Sequence, residues 1–500
     1  MKINTKIGKE SAISFSGMGI GQILRYLFTT FLARGVGVEL VGIYSISNAI
    51  TRIFEVIGKM GLDQGVLRAI NRQDKNLDKV RIILSALKMG LFSSLFFMCI
   101  QILISNWLVI NLFPKSSILN QVIIIHAFSL PLYIIIHIAS HSIQAYKILK
   151  YKIIVNEILN PLILLLSMLF IYLCVSVKHA ITFPVIIASF FCLLAINVFL
   201  KKITTVSIFS INKGKFNQRL LTYSLPIMFI SILGTVLHWT DTFMLGYYTD
   251  TFTVGLYHPA ARTAGMIRMI LIAFSGIYGP IIAEMYLKKQ SVEMNHLFKL
   301  VTRWVMTFSI PFLILILIYS KKIMLIFGID FIEGHSILIL LALAAFIQAV
   351  FGIGGTTLNM TGFPKINLLN TFIGFSINII LNIILIPIAG GFGAAMATLI
   401  TLTTIAIMRV FQNWKFLSMI PWNKKLLKPI IAGILTISIS LIVKPYLMPL
   451  HTIFTMISAI CMIFSTYFFL LWLFGLDDDD KELKEGVFVR IHNIKYLIKN

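Results

Sequence analysis

The sequence predicts an all-α polytopic membrane protein with about fourteen transmembrane helices, and three observations predict it. Of 500 residues, 58% are hydrophobic and only 12% charged, whereas a soluble globular chain is about a quarter charged. Mean hydropathy is +0.92. The apolar residues also come in runs of about 20 or more, enough to cross a hydrocarbon layer about 30 Å thick as a helix. This composition excludes a soluble enzyme, a nucleic-acid binder and a secreted disulfide scaffold. The N-terminal lysines (Lys2, Lys6, Lys9) lead into an apolar run too long for a signal-peptide core, so no cleavable signal is expected.

The first six runs fall at 11–33, 41–62, 83–112, 118–143, 153–176 and 180–200. After a basic loop come 220–246, 254–283, 302–320, 335–358, 367–388, 392–410, 429–446 and 452–474. Fourteen crossings place both termini on one side. That side holds 31 of the 43 Lys and Arg residues and the opposite loops hold six, so the positive-inside rule makes both termini cytoplasmic. The net charge of +24 therefore reflects topology. No loop exceeds about twenty residues, which leaves no room for a soluble catalytic domain, and no enzyme is expected. Cys99, Cys174, Cys192 and Cys461 lie in apolar runs without metal-ligand spacing and read as buried small hydrophobes; neither metal nor cofactor is expected. Pro131, Pro226 and Pro259 are candidate helix kinks. Val487, Phe488, Ile491, Ile494 and Leu497 mark an amphipathic tail.

The chain also repeats itself. Val41-Gly42-Ile43-Tyr44 recurs as Val254-Gly255-Leu256-Tyr257, an offset of 213 that sets Arg25 against His238 and Thr29 against Thr242. Gln144-Ala145-Tyr146 with Lys150 recurs as Asn359-Met360-Thr361 with Lys365, an offset of 215. An offset of six helices keeps both copies in one orientation, so the repeats are parallel and related by an axis along the membrane normal. The expected organisation is an N-terminal six-helix lobe (1–203), a cytoplasmic linker (204–218) and a C-terminal six-helix lobe (219–412). Two further transmembrane helices (427–474) and a cytoplasmic tail (475–500) follow. The two lobes would face each other across a central cleft.

Leu32-Ala33-Arg34, Gly42-Ile43-Tyr44, Gly61-Leu62 and Arg68 resemble the start of oligosaccharide flippases of the polysaccharide transporter group (Wzx-type). That group belongs to the MOP superfamily, with the MATE exporters and the lipid II flippases. The resemblance implies two six-helix lobes followed by two extra helices. It implies a function too: moving an undecaprenyl-diphosphate-linked oligosaccharide from the inner to the outer leaflet of the bacterial cytoplasmic membrane by alternating access. The product would serve O-antigen, capsule or exopolysaccharide synthesis. The implied partners are that lipid-linked glycan, membrane lipid, and a polysaccharide polymerase with its chain-length regulator. The alternative on the same fold is a MATE-type cation-coupled multidrug exporter.

Charges inside the spans sharpen the expectation, because each costs about 2.5–3.5 kcal/mol or more unless partnered or wet. Arg25, Arg52, His238 and Arg262 fall at one level, on the order of 12–16 Å below the outer surface. In relatives of the lipid II flippase type, arginines on the first, second and eighth helices hold the diphosphate; Arg25, Arg52 and Arg262 match them by helix and depth. Guanidinium forks suit phosphate oxygens because they bind bidentately and stay charged when desolvated. Arg52 also has Glu55 at i+3 and Lys59 beyond it, a ladder that reads equally as an intrahelical ion network. Arg268 is a further candidate, although it lies roughly 240° round the helix from Arg262. Lys59 and Lys88 are placed to snorkel. Asp241 lies one turn from His238 and reads either as a proton-coupling partner or as a gate closing on Arg25, with Glu55 as a second coupling or gating acid. Trp239 offers a flat face for sugar. Glu157 reads as an interfacial partner of Lys150 and Lys152.

Overall fold

The computed structural model describes residues 3–73, 75–113, 118–449 and 451–475, and every regular element among them is a helix. In order these are α1 (Ile3–Lys59), α2 (Leu62–Asn71), α3 (Asn76–Leu112), α4 (Leu119–Ala127), α5 (Leu130–Ala145), α6 (Lys150–Ile153), α7 (Asn160–Cys174) and α8 (Phe183–Thr204). Then come α9 (Gln218–Tyr248), α10 (Thr251–Leu287), α11 (Ser291–Leu325), α12 (His335–Met360), α13 (Pro364–Leu417), α14 (Leu427–Leu447) and α15 (Thr452–Leu473). A π-helical turn, Ile154–Leu159, joins α6 to α7. The tail expected beyond residue 475 lies outside the described residues.

Eleven elements are long and apolar enough to cross a membrane, or twelve if the bent pair α4 and α5 is one span. Two of them are too long for one crossing: α1 has 57 residues and α13 has 54, about 80–85 Å each at 1.5 Å per residue. Each breaks at a glycine of positive φ, Gly37 (82°) and Gly390 (52°), a conformation open to a residue without Cβ. Both double back there. The rings of Phe28 and Tyr44 lie 5.7 Å apart, although 16 residues of straight helix would separate them by about 24 Å. In α13, Asn370 and Gln412 exchange two amide hydrogen bonds of 2.6 and 2.7 Å. Counted as two crossings each, these elements bring the total to the fourteen expected. The loops expected near 34–40 and 389–391 are single-glycine breaks.

Burial is inverted relative to a soluble protein. Glu55, Gln101, His126, Asn370 and Asn382 are inside, while Phe92, Leu103, Leu173 and Ile442 are exposed. That is the pattern for a protein solvated by hydrocarbon. The cysteine expectation is corrected accordingly: only Cys192 is buried, and Cys99, Cys174 and Cys461 lie on the outer faces of their helices, where a small apolar side chain meets lipid at no cost. Pro131 sits in the first turn of α5, where its missing N–H is not needed, at the 42° bend after α4. Pro226 lies inside α9.

The chain forms two compact units. One comprises Met1–Arg262, Phe327–Gly334 and Ile379–Ala394; the other comprises Thr263–Ile326, His335–Asn378 and Ala395–Asn500. In the first, Leu62, Val66, Ile83, Leu87, Ile134, Ile138 and Ile196 make a continuous core around α5. Here the repeat becomes a physical contact. A Cβ on Gly42 would stand 2.7 Å from the carbonyl carbon of Thr251 and 3.0 Å from the nitrogen of Gly255, and a Cβ on Gly255 would stand 2.8 Å from the carbonyl carbon of Val38. Val38 and Thr251, like Gly42 and Gly255, are 213 residues apart. Residue i of one copy therefore meets residue j of the other, and j meets i, the signature of a two-fold axis. Only glycine lets the two backbones approach this closely.

Candidate functional site

The site is built on α1, α5, α10 and the π-helical turn of the first unit. Glu55, on the second half of α1, is only 3% exposed, and its carboxylate serves two cations and an imidazole. Arg52 Nη1 donates to Oε2 at 2.6 Å, Lys59 Nζ approaches Oε1 at 3.2 Å, and His137 Nε2 of α5 lies 3.3 Å from Oε1. The i, i+3 and i, i+4 spacing puts Arg52 and Lys59 on the face that carries Glu55, and α5 presents His137 to it. Arg52 also stacks over the Tyr133 ring, 4.8 Å from its centroid, an arrangement that favours a cation in a dry setting. Lys59 is thus turned back onto Glu55, a correction to the snorkelling expected for it: a buried carboxylate within reach is a better partner than the distant interface.

A second ion pair joins α1 to the π-helical turn. Arg25 Nη2 donates to Glu157 Oε2 at 2.6 Å. Glu157 was expected to pair with Lys150 and Lys152; the structure corrects this, because the wide π turn carries its side chain toward α1. Lys152 instead donates to Gln144 Oε1 (2.8 Å) and to His141 Nε2 (3.1 Å). Nor does Arg25 make an ion pair with Asp241, so the gate considered for that pair is not closed in this conformation. Beside the two ion pairs, Asn160 at the start of α7 donates its amide to the Tyr133 hydroxyl at 3.5 Å, and Asn156 of the π-helical turn donates to Ser140 at 3.2 Å.

Arg262, on α10, completes the set in a different way. It lies within electrostatic reach of Arg25, Arg52 and Tyr44, yet its Nε is buried and it makes no hydrogen bond or ion pair among the described residues. Two of the three arginines expected at one depth therefore carry a carboxylate and the third does not. A buried donor without a partner costs free energy unless something else accepts from it. The cluster has four fixed cations, Arg25, Arg52, Lys59 and Arg262, against two carboxylates, Glu55 and Glu157. Its excess of two positive charges is what an anionic group with several oxygens would complement.

Asp241 stands apart from these pairs. Its Oδ2 accepts from the Tyr257 hydroxyl at 2.6 Å and its Oδ1 from Asn382 at 2.8 Å. His238 and Trp239 form an edge-on ring pair with centroids 5.2 Å apart; His238 is exposed and Trp239 half-buried. Arg268 belongs to the second unit, where it is half-buried. Sequence reasoning missed Tyr133, His137 and His141, although they recur every four residues along α5 and so share one face. It also missed Tyr257 and Asn382, for which no local pattern exists.

The sequence model of the family described as "Polysaccharide biosynthesis protein" matches residues 7–286, and that described as "MatE" matches residues 226–384. Among curated proteins, the chain is 27% identical over 222 residues to the probable low-salt glycan biosynthesis flippase Agl15 of Haloferax volcanii, covering 44% of this chain and 46% of that protein. It is 25% identical over 178 residues to the probable flippase AglR of the same organism, covering 34% and 37%. The chain thus matches less than half the length of these relatives. Among solved structures, the lipid II flippase MurJ in an inward closed conformation superposes with a TM-score of 0.73 at 15% identity, over 93% of this chain and 98% of that one. An inward-facing multidrug resistance MATE transporter of the MOP superfamily superposes with a TM-score of 0.65 at 13% identity, over 82% and 98%. These likenesses establish a shared fold.

Proposed function

Since the chain belongs to the polysaccharide biosynthesis protein family, we propose that it is a flippase for a lipid-linked glycan. The observation that carries this reading is Arg262, a half-buried side chain whose buried Nε has no acceptor among the described residues, beside two other arginines in a cluster of net positive charge. A diphosphate bridging lipid and sugar brings about two negative charges and several acceptor oxygens on tetrahedral phosphorus, pairs of which a planar guanidinium fork can bind. Arg262 would take these oxygens first. Arg25 and Arg52 would join it by exchanging Glu157 and Glu55 for phosphate, while the lipid tail stays in hydrocarbon. His238 and Trp239 would meet the glycan, and Asp241 and Glu55 would couple or gate the cycle. The carrier is proposed to be undecaprenyl diphosphate, the setting a bacterial cytoplasmic membrane, and the downstream partners a polymerase and its chain-length regulator. Alternating access between two six-helix lobes would move the cargo.

A drug exporter on this fold needs a carboxylate available to a cationic substrate. Glu55 and Glu157 are both held by cations and Asp241 by two neutral donors, which supports an anionic cargo instead. The test is export in cells that depend on this protein. Arg262→Ala should reduce surface glycan tenfold to a hundredfold at unchanged protein abundance, since a hydrogen bond to a charged group contributes about 1.5–3 kcal/mol. Arg262→Lys should recover part of the loss. Full export by Arg262→Ala would refute the cationic site.

A further inference from the structure

A groove of about 610 Å³ lies along α3. Its walls are Met60, Met89, Phe92, Phe96, Phe97 and Phe216, and Lys88 stands at one end. None of Arg25, Arg52 and Arg262 lines it. Lys88, Phe92 and Phe96 follow at intervals of four residues, so they share a face of α3; Phe92 is 64% exposed and Phe96 61%. The same face continues away from Lys88 through the exposed Leu103, Trp107 and Ile110. An apolar stripe deep enough to hold hydrocarbon therefore begins at a single ammonium.

That ammonium is fixed in place. Lys88 Nζ donates to the carbonyl oxygens of Gly214 at 3.0 Å and Asn212 at 3.5 Å, so it does not snorkel freely as the sequence suggested. These acceptors are neutral and leave its charge uncompensated. They also bring it against the segment that carries Lys213 and Lys215, both exposed. None of the three lysines pairs with a carboxylate among the described residues. Lys88 stands at the groove and Lys213 and Lys215 flank the glycine it donates to, a set of uncompensated cations beside apolar walls that matches a molecule with an anionic head and apolar chains.

We propose that this groove binds one anionic phospholipid, its phosphate at Lys88, Lys213 and Lys215 and an acyl chain along Phe92, Phe96, Phe97 and Phe216. The site is independent of the cargo site, because no residue is common to the two. Its occupant is a membrane lipid of the leaflet on the Lys-rich side, held by charge at the head and by apolar contact along the chain.

The experiment is native mass spectrometry of the purified full chain, titrated with phosphatidylglycerol or with phosphatidylcholine of the same acyl chains. Phosphatidylglycerol should be retained in preference. The double variant Lys213→Gln/Lys215→Gln, which leaves the Lys88 contacts untouched, should weaken that retention about fivefold for each lysine removed. Phe96→Trp, which fills the groove without changing charge, should weaken both lipids. Equal retention of the two lipids by the native chain would overturn the proposal, as would retention unaffected by either variant. Preferential capture of a polyprenyl diphosphate over phosphatidylglycerol would overturn it in favour of a cargo site.

Discussion

Glu55 is a carboxylate shared by Arg52, Lys59 and His137, and its burial decides what its loss would do. Removing one member of a buried ion pair costs about 3–5 kcal/mol, because the remaining charges stay desolvated without compensation. Glu55→Gln should therefore lower thermal stability strongly. Glu157→Gln acts on a pair whose side chains are 23% and 30% exposed, so the freed Arg25 is less completely desolvated and the loss should be smaller than for Glu55→Gln. Thermal unfolding of the two variants in the same detergent checks the contrast; equal destabilisation would mean that burial does not set the energies. The Arg52–Glu55–Lys59 ladder was legible because helical spacing alone brings those side chains together. His137 was not, since it reaches Glu55 from 82 residues away in the sequence. Arg25 and Glu157, 132 residues apart, could each be recognised as an intramembrane charge, but nothing local announces that they meet.

At the scale of elements, apolar run length gave the approximate number of crossings, and the structure joins two pairs of runs through single glycines of positive φ, Gly37 and Gly390. The sequence placed a break between residues 33 and 41 but not its form, because a single residue of positive φ and a six-residue loop separate two apolar runs equally well. The Gly42–Gly255 crossing supplies a sharper test. A side chain at position 42 would run into the backbone of Thr251, which cannot swing aside as the end of a flexible side chain would. Gly42→Val should destabilise the protein by about 1–3 kcal/mol, the usual cost of overpacking. Gly19→Val, where nothing lies within 4 Å of the added Cβ, should leave the melting temperature nearly unchanged. Identical behaviour of the two variants would deny that the repeats touch here.

For the whole molecule, the division of basic residues between the two sides predicts an orientation that cells can report. In a cysteine-free background, Lys178→Cys and Lys321→Cys should react with a membrane-impermeant maleimide added to intact cells. Lys75→Cys and Lys213→Cys should react only after permeabilisation. The reverse pattern would invert the topology and with it the direction of transport. The sequence by itself determined the helical membrane class and the approximate number of crossings. Both depend on summed hydrophobicity, which is a property of the chain read in order. Only the tertiary structure decided which arginines are neutralised, that Glu157 faces Arg25, and that Arg262 is left with a buried donor to satisfy. Those outcomes turn on approaches of about 3 Å between helices far apart in the chain, and a fraction of a turn in either helix would exchange one partner for another.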